Sequence, residues 1–119
     1  DSRATPSRVL WQYDVGANGV TLSNKSKLFD ANGAGALDGF AVDTDGNLWC
    51  GWGADGRAGV SSADLDGVKV FNANGQPIGF IRLPERCANL TFGGPKNNRL
   101  YMASSHSLYS LYVEAEGAV

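Results

Sequence analysis

The sequence predicts an all-β protein, and three observations carry that expectation. Its 119 residues include 16 Gly and 4 Pro, and several of the glycines stand in Asn-Gly or Asp-Gly pairs, the chemistry of tight turns. Between these turns lie short segments of alternating bulky and polar side chains, at the period of a β-strand. No segment holds apolar residues at three-four spacing for more than about two helical turns, so helix signals are nearly absent.

Taken in order, the first strand is Arg8-Val9-Leu10-Trp11-Gln12-Tyr13-Asp14-Val15. Gly16-Ala17-Asn18-Gly19 turns the chain, with Asn-Gly the strongest short hairpin signal. Residues 20–22 and 25–29 give a second extended segment, and residues 31–36 read as a flexible connection rich in Gly and Ala. Residues 40–43 and 47–52 form a hairpin around Thr44-Asp45-Gly46. Residues 53–67 lack periodicity and are expected to be the one long loop, a class of segment that is usually functional or mobile. A second hairpin joins residues 68–71 to 77–83 across Asn72-Ala73-Asn74-Gly75. Residues 90–92, 100–103 and 108–113 supply three more strands before a polar tail.

One unit occurs twice. Asp38-Gly39-Phe40-Ala41-Val42-Asp43-Thr44-Asp45-Gly46-Asn47-Leu48-Trp49 has a looser copy in residues 89–101. Each begins on a polar residue, runs through mostly apolar positions, turns on Asp, Gly or Asn, and returns on a Leu-aromatic pair, Leu48-Trp49 or Leu100-Tyr101. A repeat of this size with several short strands is the signature of propeller blades. The organisation expected within a single domain of residues 1–119 is the end of one blade (8–29), one full four-stranded blade (38–83) and three strands of the next (87–113). A propeller places the first residue of each innermost strand at the mouth of its channel. Asp38 and Asn89 are therefore expected to occupy equivalent places and to converge there.

Two strands, then four, then three leave sheet edges unpaired, and open edges invite association. The remaining blades are expected from sequence preceding Asp1 or from another chain. Ten basic and twelve acidic residues give a net charge of −2 with no block of like charge, which argues against nucleic acid or an anionic membrane as partner. No apolar run approaches membrane-spanning length, and Asp1 opens a polar stretch unlike a signal peptide. A soluble protein is expected, with the compartment, cytoplasm or periplasm, left open by the sequence. Cys50 and Cys87 lack the spacing of a zinc site and read as two small buried residues, with a disulfide possible if the fold brings them close.

The segments from Leu37 to Trp49, Gly67-Val68-Lys69-Val70-Phe71, Leu83-Pro84-Glu85-Arg86-Cys87-Ala88-Asn89-Leu90-Thr91-Phe92-Gly93-Gly94 and Leu100-Tyr101-Met102-Ala103-Ser104-Ser105 together resemble the gluconolactonase, senescence-marker-protein (regucalcin) and luciferin-regenerating-enzyme family, its C-terminal portion in particular. The resemblance implies a six-bladed propeller that hydrolyses sugar lactones with one divalent cation in its channel. That cation is usually calcium, with Zn2+, Mg2+ or Mn2+ as alternatives. It further implies a metal held by a Glu near the N-terminus, an Asn at the start of one blade and an Asp at the start of the next. Asp38, in Leu37-Asp38-Gly39, matches the last of these; the other two would precede Asp1.

A lactone is an ester, so its hydrolysis needs a polarised carbonyl and an activated water. A hard cation with oxygen ligands supplies both. Asp38 suits two tasks, anionic ligand and base for the attacking water, although Asp-Gly is also ordinary turn chemistry. Asn89 can orient water or a sugar hydroxyl through its donor and acceptor. His106, the only histidine, is expected at the same mouth, either solvated or in proton transfer. Trp11, Trp49 and Trp52 read as blade core, with Trp52 near enough to the long loop to stack on a sugar ring. Asp55, Asp64 and Asp66 lack the order of a calcium loop and read as solvated surface. There is no Gly-x-Ser-x-Gly elbow and no phosphate loop. The alternative to a lactonase is a non-catalytic propeller fragment that serves as a binding or structural module.

Overall fold

The computed structural model describes residues 8–31, 33, 35–56 and 59–119. Three antiparallel sheets stand side by side. The first pairs β1 (Val9–Val15) with β2 (Leu22–Asp30). The second runs β3 (Gly35–Val42), β4 (Leu48–Ala54), β5 (Gly67–Phe71) and β6 (Pro77–Arg82) in sequence order. The third runs β7 (Cys87–Gly93), β8 (Arg99–Ser104) and β9 (Leu108–Tyr112). The expected two, four and three strands are all present. Part of the expected connection over residues 31–36 is strand, since β3 already begins at Gly35; Asn32 and Ala34 lie outside the described residues.

Local chemistry explains the hairpins. Asp43 closes the β3–β4 turn by accepting the backbone N–H groups of Asp45 (3.0 Å) and Asn47 (2.8 Å) on one carboxylate oxygen. Its other oxygen accepts Asn47 Nδ2 (3.0 Å) and the Trp49 indole (2.9 Å). Asn72 repeats the device at the β5–β6 turn, accepting Asn74 N–H and Gln76 N–H, each at 3.0 Å. In both turns Gly takes the left-handed conformation that L side chains avoid, with φ 82° at Gly46 and 79° at Gly75.

Two apolar cores separate the sheets. Phe29 of the first sheet stacks on Phe71 of the second with ring centroids 4.0 Å apart, in a cluster that includes Leu37, Leu48, Cys50 and Trp52. The opposite face of the second sheet meets the third through Val68, Cys87, Leu90, Leu100 and Met102, with Trp49 set edge-on to Phe92 at 5.5 Å. Both cysteines are buried and unpaired. Burial pushes the Cys50 thiol up to about 12. Burial also raises Cys87, and the nearby Asp38 charge adds to the rise. The face of the second sheet toward the first leaves Phe40 and Val42 exposed, and Leu108, Leu111 and Tyr112 are exposed on β9. No helix among the described residues is long and apolar enough to cross a membrane.

Three local expectations need correction. The segment over residues 53–67 is not all loop: β4 extends to Ala54 and α1 (Ser62–Leu65) makes one helical turn, while Arg57 and Ala58 lie outside the described residues. Two of its three acidic residues are structural rather than solvated. Asp55 pairs with Arg8 at 2.9 Å, and buried Asp66 accepts the Ala54 N–H at 3.0 Å; only Asp64 is an exposed carboxylate, 3.6 Å from Arg82. Trp11 is 42% exposed, with Lys25 Nζ 4.2 Å from its ring centroid, because β1 and β2 form a two-stranded sheet with no layer on that side among the described residues.

Candidate active site

The ends of the sheets where β3 and β7 begin form one mouth, opposite the tail. There the inner strands are irregular at matching places. Leu37 pairs with Trp52 and Phe40 with Cys50, so Asp38 and Gly39 both face Gly51. In the third sheet Cys87 pairs with Ser104 and Asn89 with Ala103, which leaves Ala88 as the extra residue. A bulge of this kind re-aims the side chains beside it and is common near functional sites.

The bulges shift the expected equivalence by one residue. Counting back from the pairs Phe40–Cys50 and Leu90–Met102, Asn89 corresponds to Gly39, and Asp38 to Ala88. The two polar side chains are nevertheless neighbours across the sheets. Gly39 has no side chain, and the Asn89 amide fills the space where its Cβ would stand. Asn89 Oδ1 accepts the Leu90 N–H at 2.9 Å. Among the described residues nothing accepts from its Nδ2.

Asp38 is 46% exposed, and the nearest cation is Arg86, Nη2 to Oδ2 3.6 Å. That separation is longer than a hydrogen bond, and a half-exposed pair of this kind contributes about 0–1 kcal/mol. The Asp38 carboxylate is therefore far less committed than that of Asp43, which four donors saturate. Arg86 escaped the sequence reading. Its signal was faint, a cation immediately before a bulged inner strand.

His106 lies in the β8–β9 turn, at the same end of the molecule, and is 88% exposed. Glu85, also missed in the sequence, fixes it. Glu85 Oε2 accepts the His106 backbone N–H at 2.8 Å and lies 3.0 Å from His106 Nδ1. Glu85 Oε1 accepts the Tyr109 hydroxyl at 2.9 Å. Desolvation works to raise the Glu85 carboxyl. Hydrogen bonds from Tyr109, from the ring and backbone of His106 and from Ser107 outweigh it and hold the group below the ordinary carboxylate range. Ser105 N–H donates to the Arg86 carbonyl at 3.2 Å, so the turn carrying His106 is tied to the residue that faces Asp38.

Trp52 does not join this group. It is 4% exposed, tilted against Phe71 at 5.8 Å, with Lys69 Nζ 4.8 Å from its ring centroid. Alternation explains the miss: Trp52 pairs with Leu37 and points into the core between sheets, so its ring offers no open face for a sugar. Asp38, Arg86 and Asn89 are gathered; His106 stands on the rim; Trp52 is core.

At the opposite end the tail ties the second and third sheets together. Thr44 N–H donates to the Glu116 carbonyl (2.8 Å), Ala118 N–H to the Val42 carbonyl (2.9 Å) and Gly117 N–H to the Asn97 carbonyl (2.9 Å).

Comparison with known proteins agrees with this architecture. The family profile described as the SMP-30/Gluconolactonase/LRE-like region matches residues 3–106. A gluconolactonase of Zymomonas mobilis is 27% identical over 122 residues, covering 97% of this chain and 30% of the relative. A solved structure assigned as a gluconolactonase superposes with a TM-score of 0.74 at 27% identity, over 92% of this chain and 33% of the other. A gluconolactonase from Xanthomonas campestris gives 0.62 at 27% identity, over 87% and 29%. A luciferin-regenerating enzyme shares the fold, with a TM-score of 0.72 at 22% identity over 93% and 40%. The chain thus spans about a third of the length of these relatives, and its three sheets are part of a β-propeller. With nearly all of its residues inside the matched region, the chain belongs to the SMP-30/gluconolactonase/LRE-like family.

Proposed function

We propose that this chain is the C-terminal part of a divalent-metal-dependent sugar-lactone hydrolase, active as part of a complete six-bladed propeller. The observation that supports it is the state of Asp38: a half-exposed carboxylate on a bulged inner strand at the mouth, with the Asn89 amide beside it. The three other aspartates of this sheet that lie nearest its core, Asp43, Asp55 and Asp66, are spent on hydrogen bonds or an ion pair.

The donor chemistry fits a hard cation, since Asp38 and Asn89 offer oxygens of the type that calcium prefers. Among the described residues no three His, Cys, Asp or Glu side chains gather to hold a metal, so this chain contributes Asp38 and further ligands come from other blades. When bound, the cation would polarise the lactone carbonyl and acidify water. Asp38 accepts the proton of the attacking water and returns it to the departing ring oxygen. Asn89 Nδ2 orients a sugar hydroxyl or the water. His106, its ring steadied by Glu85, lies where substrate enters.

The test is lactone hydrolysis by the intact protein, after chelation and on return of Ca2+, Zn2+, Mg2+ or Mn2+ singly. Turnover should need a cation, calcium on the family pattern, and Asp38→Asn should lower it at least 100-fold. The metal-free variant should melt within about 1 °C of the wild type, because Asp38 makes no short contact. Near-native turnover by Asp38→Asn would overturn the role given to Asp38, and absence of turnover with every cation would favour a binding module.

A further inference from the structure

Arg86 is placed unlike the other cations of the second and third sheets. Its stem lies over β4, where Gly53 makes room: a Cβ at that position would fall on Arg86 Cγ. The guanidinium then returns to the mouth, with Nη1 3.4 Å from the Ala54 carbonyl and Nη2 3.6 Å from Asp38. Arg82 donates to the Ala63 carbonyl at the sheet's outer edge. Arg99, at the opposite end, lies over the rings of Tyr101 and Tyr112. Arg86 keeps 36% of its side chain exposed, and two long contacts leave most of its five N–H donors unspent. A planar donor fork is thus presented beside Asp38 by a path that a glycine opens.

Lactone hydrolysis creates negative charge at one carbon twice, first on the carbonyl oxygen as water adds, then as the product carboxylate. We infer that Arg86 is the anion-binding residue of this site, receiving that oxyanion and then holding the carboxylate of the aldonate product. The inference rests on the lactonase reading above. As the water oxygen bonds to the carbonyl carbon, its proton passes to Asp38 and the carbonyl π pair moves onto the oxygen facing Arg86. The pair returns as the ring C–O bond breaks, and the ring oxygen leaves as an alcohol with the proton from Asp38. The new carboxylic acid then loses its proton to solvent, and its two oxygens match the guanidinium fork. Before substrate arrives, Asp38 occupies part of that fork.

Calorimetric titration of the intact protein with a sugar aldonate, and with the sugar alcohol of equal chain length, tests this. The two share their hydroxyls and differ in the carboxylate. Arg86→Gln should weaken aldonate binding at least tenfold and leave the sugar alcohol unchanged. Arg86→Lys should recover only part of the loss, since a point charge lacks the fork. Gly53→Ala should also weaken the aldonate, by displacing the stem with Arg86 still present. Aldonate binding that is absent in the wild type, or unchanged in Arg86→Gln, would overturn the inference, as would equal loss of both ligands. Arg86-dependent aldonate binding without turnover of any lactone would instead sink the lactonase reading and keep the anion site.

Discussion

Arg8 and Asp55 form an ion pair of 2.9 Å with side chains only 9% and 1% exposed. Arg8 Nη1 also reaches the Gly35 carbonyl at 3.4 Å, and the Arg8 carbonyl accepts the Ala31 N–H at 2.7 Å. The pair therefore fastens the start of the first sheet to the segment that follows β4, beside the mouth.

Removing one partner of a buried pair strands the other charge, which costs about 3–5 kcal/mol. Asp55→Ala should therefore lower the stability of the intact protein by that order in urea unfolding. Replacing both partners by apolar residues, as in Arg8→Met with Asp55→Leu, should recover most of the loss. A single variant as stable as the wild type would show that the pair is solvated in solution.

Asp43 gives a prediction in pH. Desolvation works to raise its carboxyl, but hydrogen bonds from the Trp49 indole, from the side chain and backbone of Asn47 and from the Asp45 N–H outweigh it and lower the pKa. A carboxyl lower in the folded than in the unfolded chain, where it is about 3.9, stabilises the fold above that unfolded value. The stabilisation is lost as pH falls from there through the folded value. Asp43→Asn keeps the shape but offers a single acceptor oxygen to four donors, and should cost about 1–3 kcal/mol at neutral pH. It should also flatten the fall in stability below about pH 4. Trp49 fluorescence reports both effects, since its indole is bonded to this carboxylate.

The residues that were legible in the sequence are those whose partners lie close in the chain. Asp43 and Asn72 close their turns within four residues, and the Gly at the left-handed position of each turn announces it. Strand number and order follow from such turns. Asp55 carries no comparable signal, because what defines it is Arg8, 47 residues away. The same holds for Asp66 and the Ala54 N–H, 12 residues apart. The one-residue error in matching Asp38 to Asn89 has another cause. The connection from Val42 to Leu48 is two residues shorter than that from Phe92 to Leu100, and a bulge adds a residue that alternation does not register. Trp52 looked available because it stands near a long loop, yet its parity in β4 sends it inward. The repeat and the family pattern singled out Asp38 as a candidate; Arg86 and Glu85, in the β6–β7 crossover, were visible only once the sheets were set side by side.

Gly39 offers a test of the Asn89 role that leaves every polar group of the mouth in place. A methyl at residue 39 would fall on the Asn89 amide, so Gly39→Ala must turn the amide away or part the two inner strands. Overpacking of this kind costs about 1–3 kcal/mol. If Asn89 orients substrate or water, displacement by about 1 Å should lower lactone turnover by the order of 100-fold, with β-content retained by circular dichroism. Combining Gly39→Ala with Asn89→Gly removes the clash with the amide, leaving only the Ala88 carbonyl at 3.0 Å from the methyl, and should restore most of the stability without restoring turnover. Should the double variant regain full activity, the amide would be a packing element of the channel wall, and Asp38 would act without it.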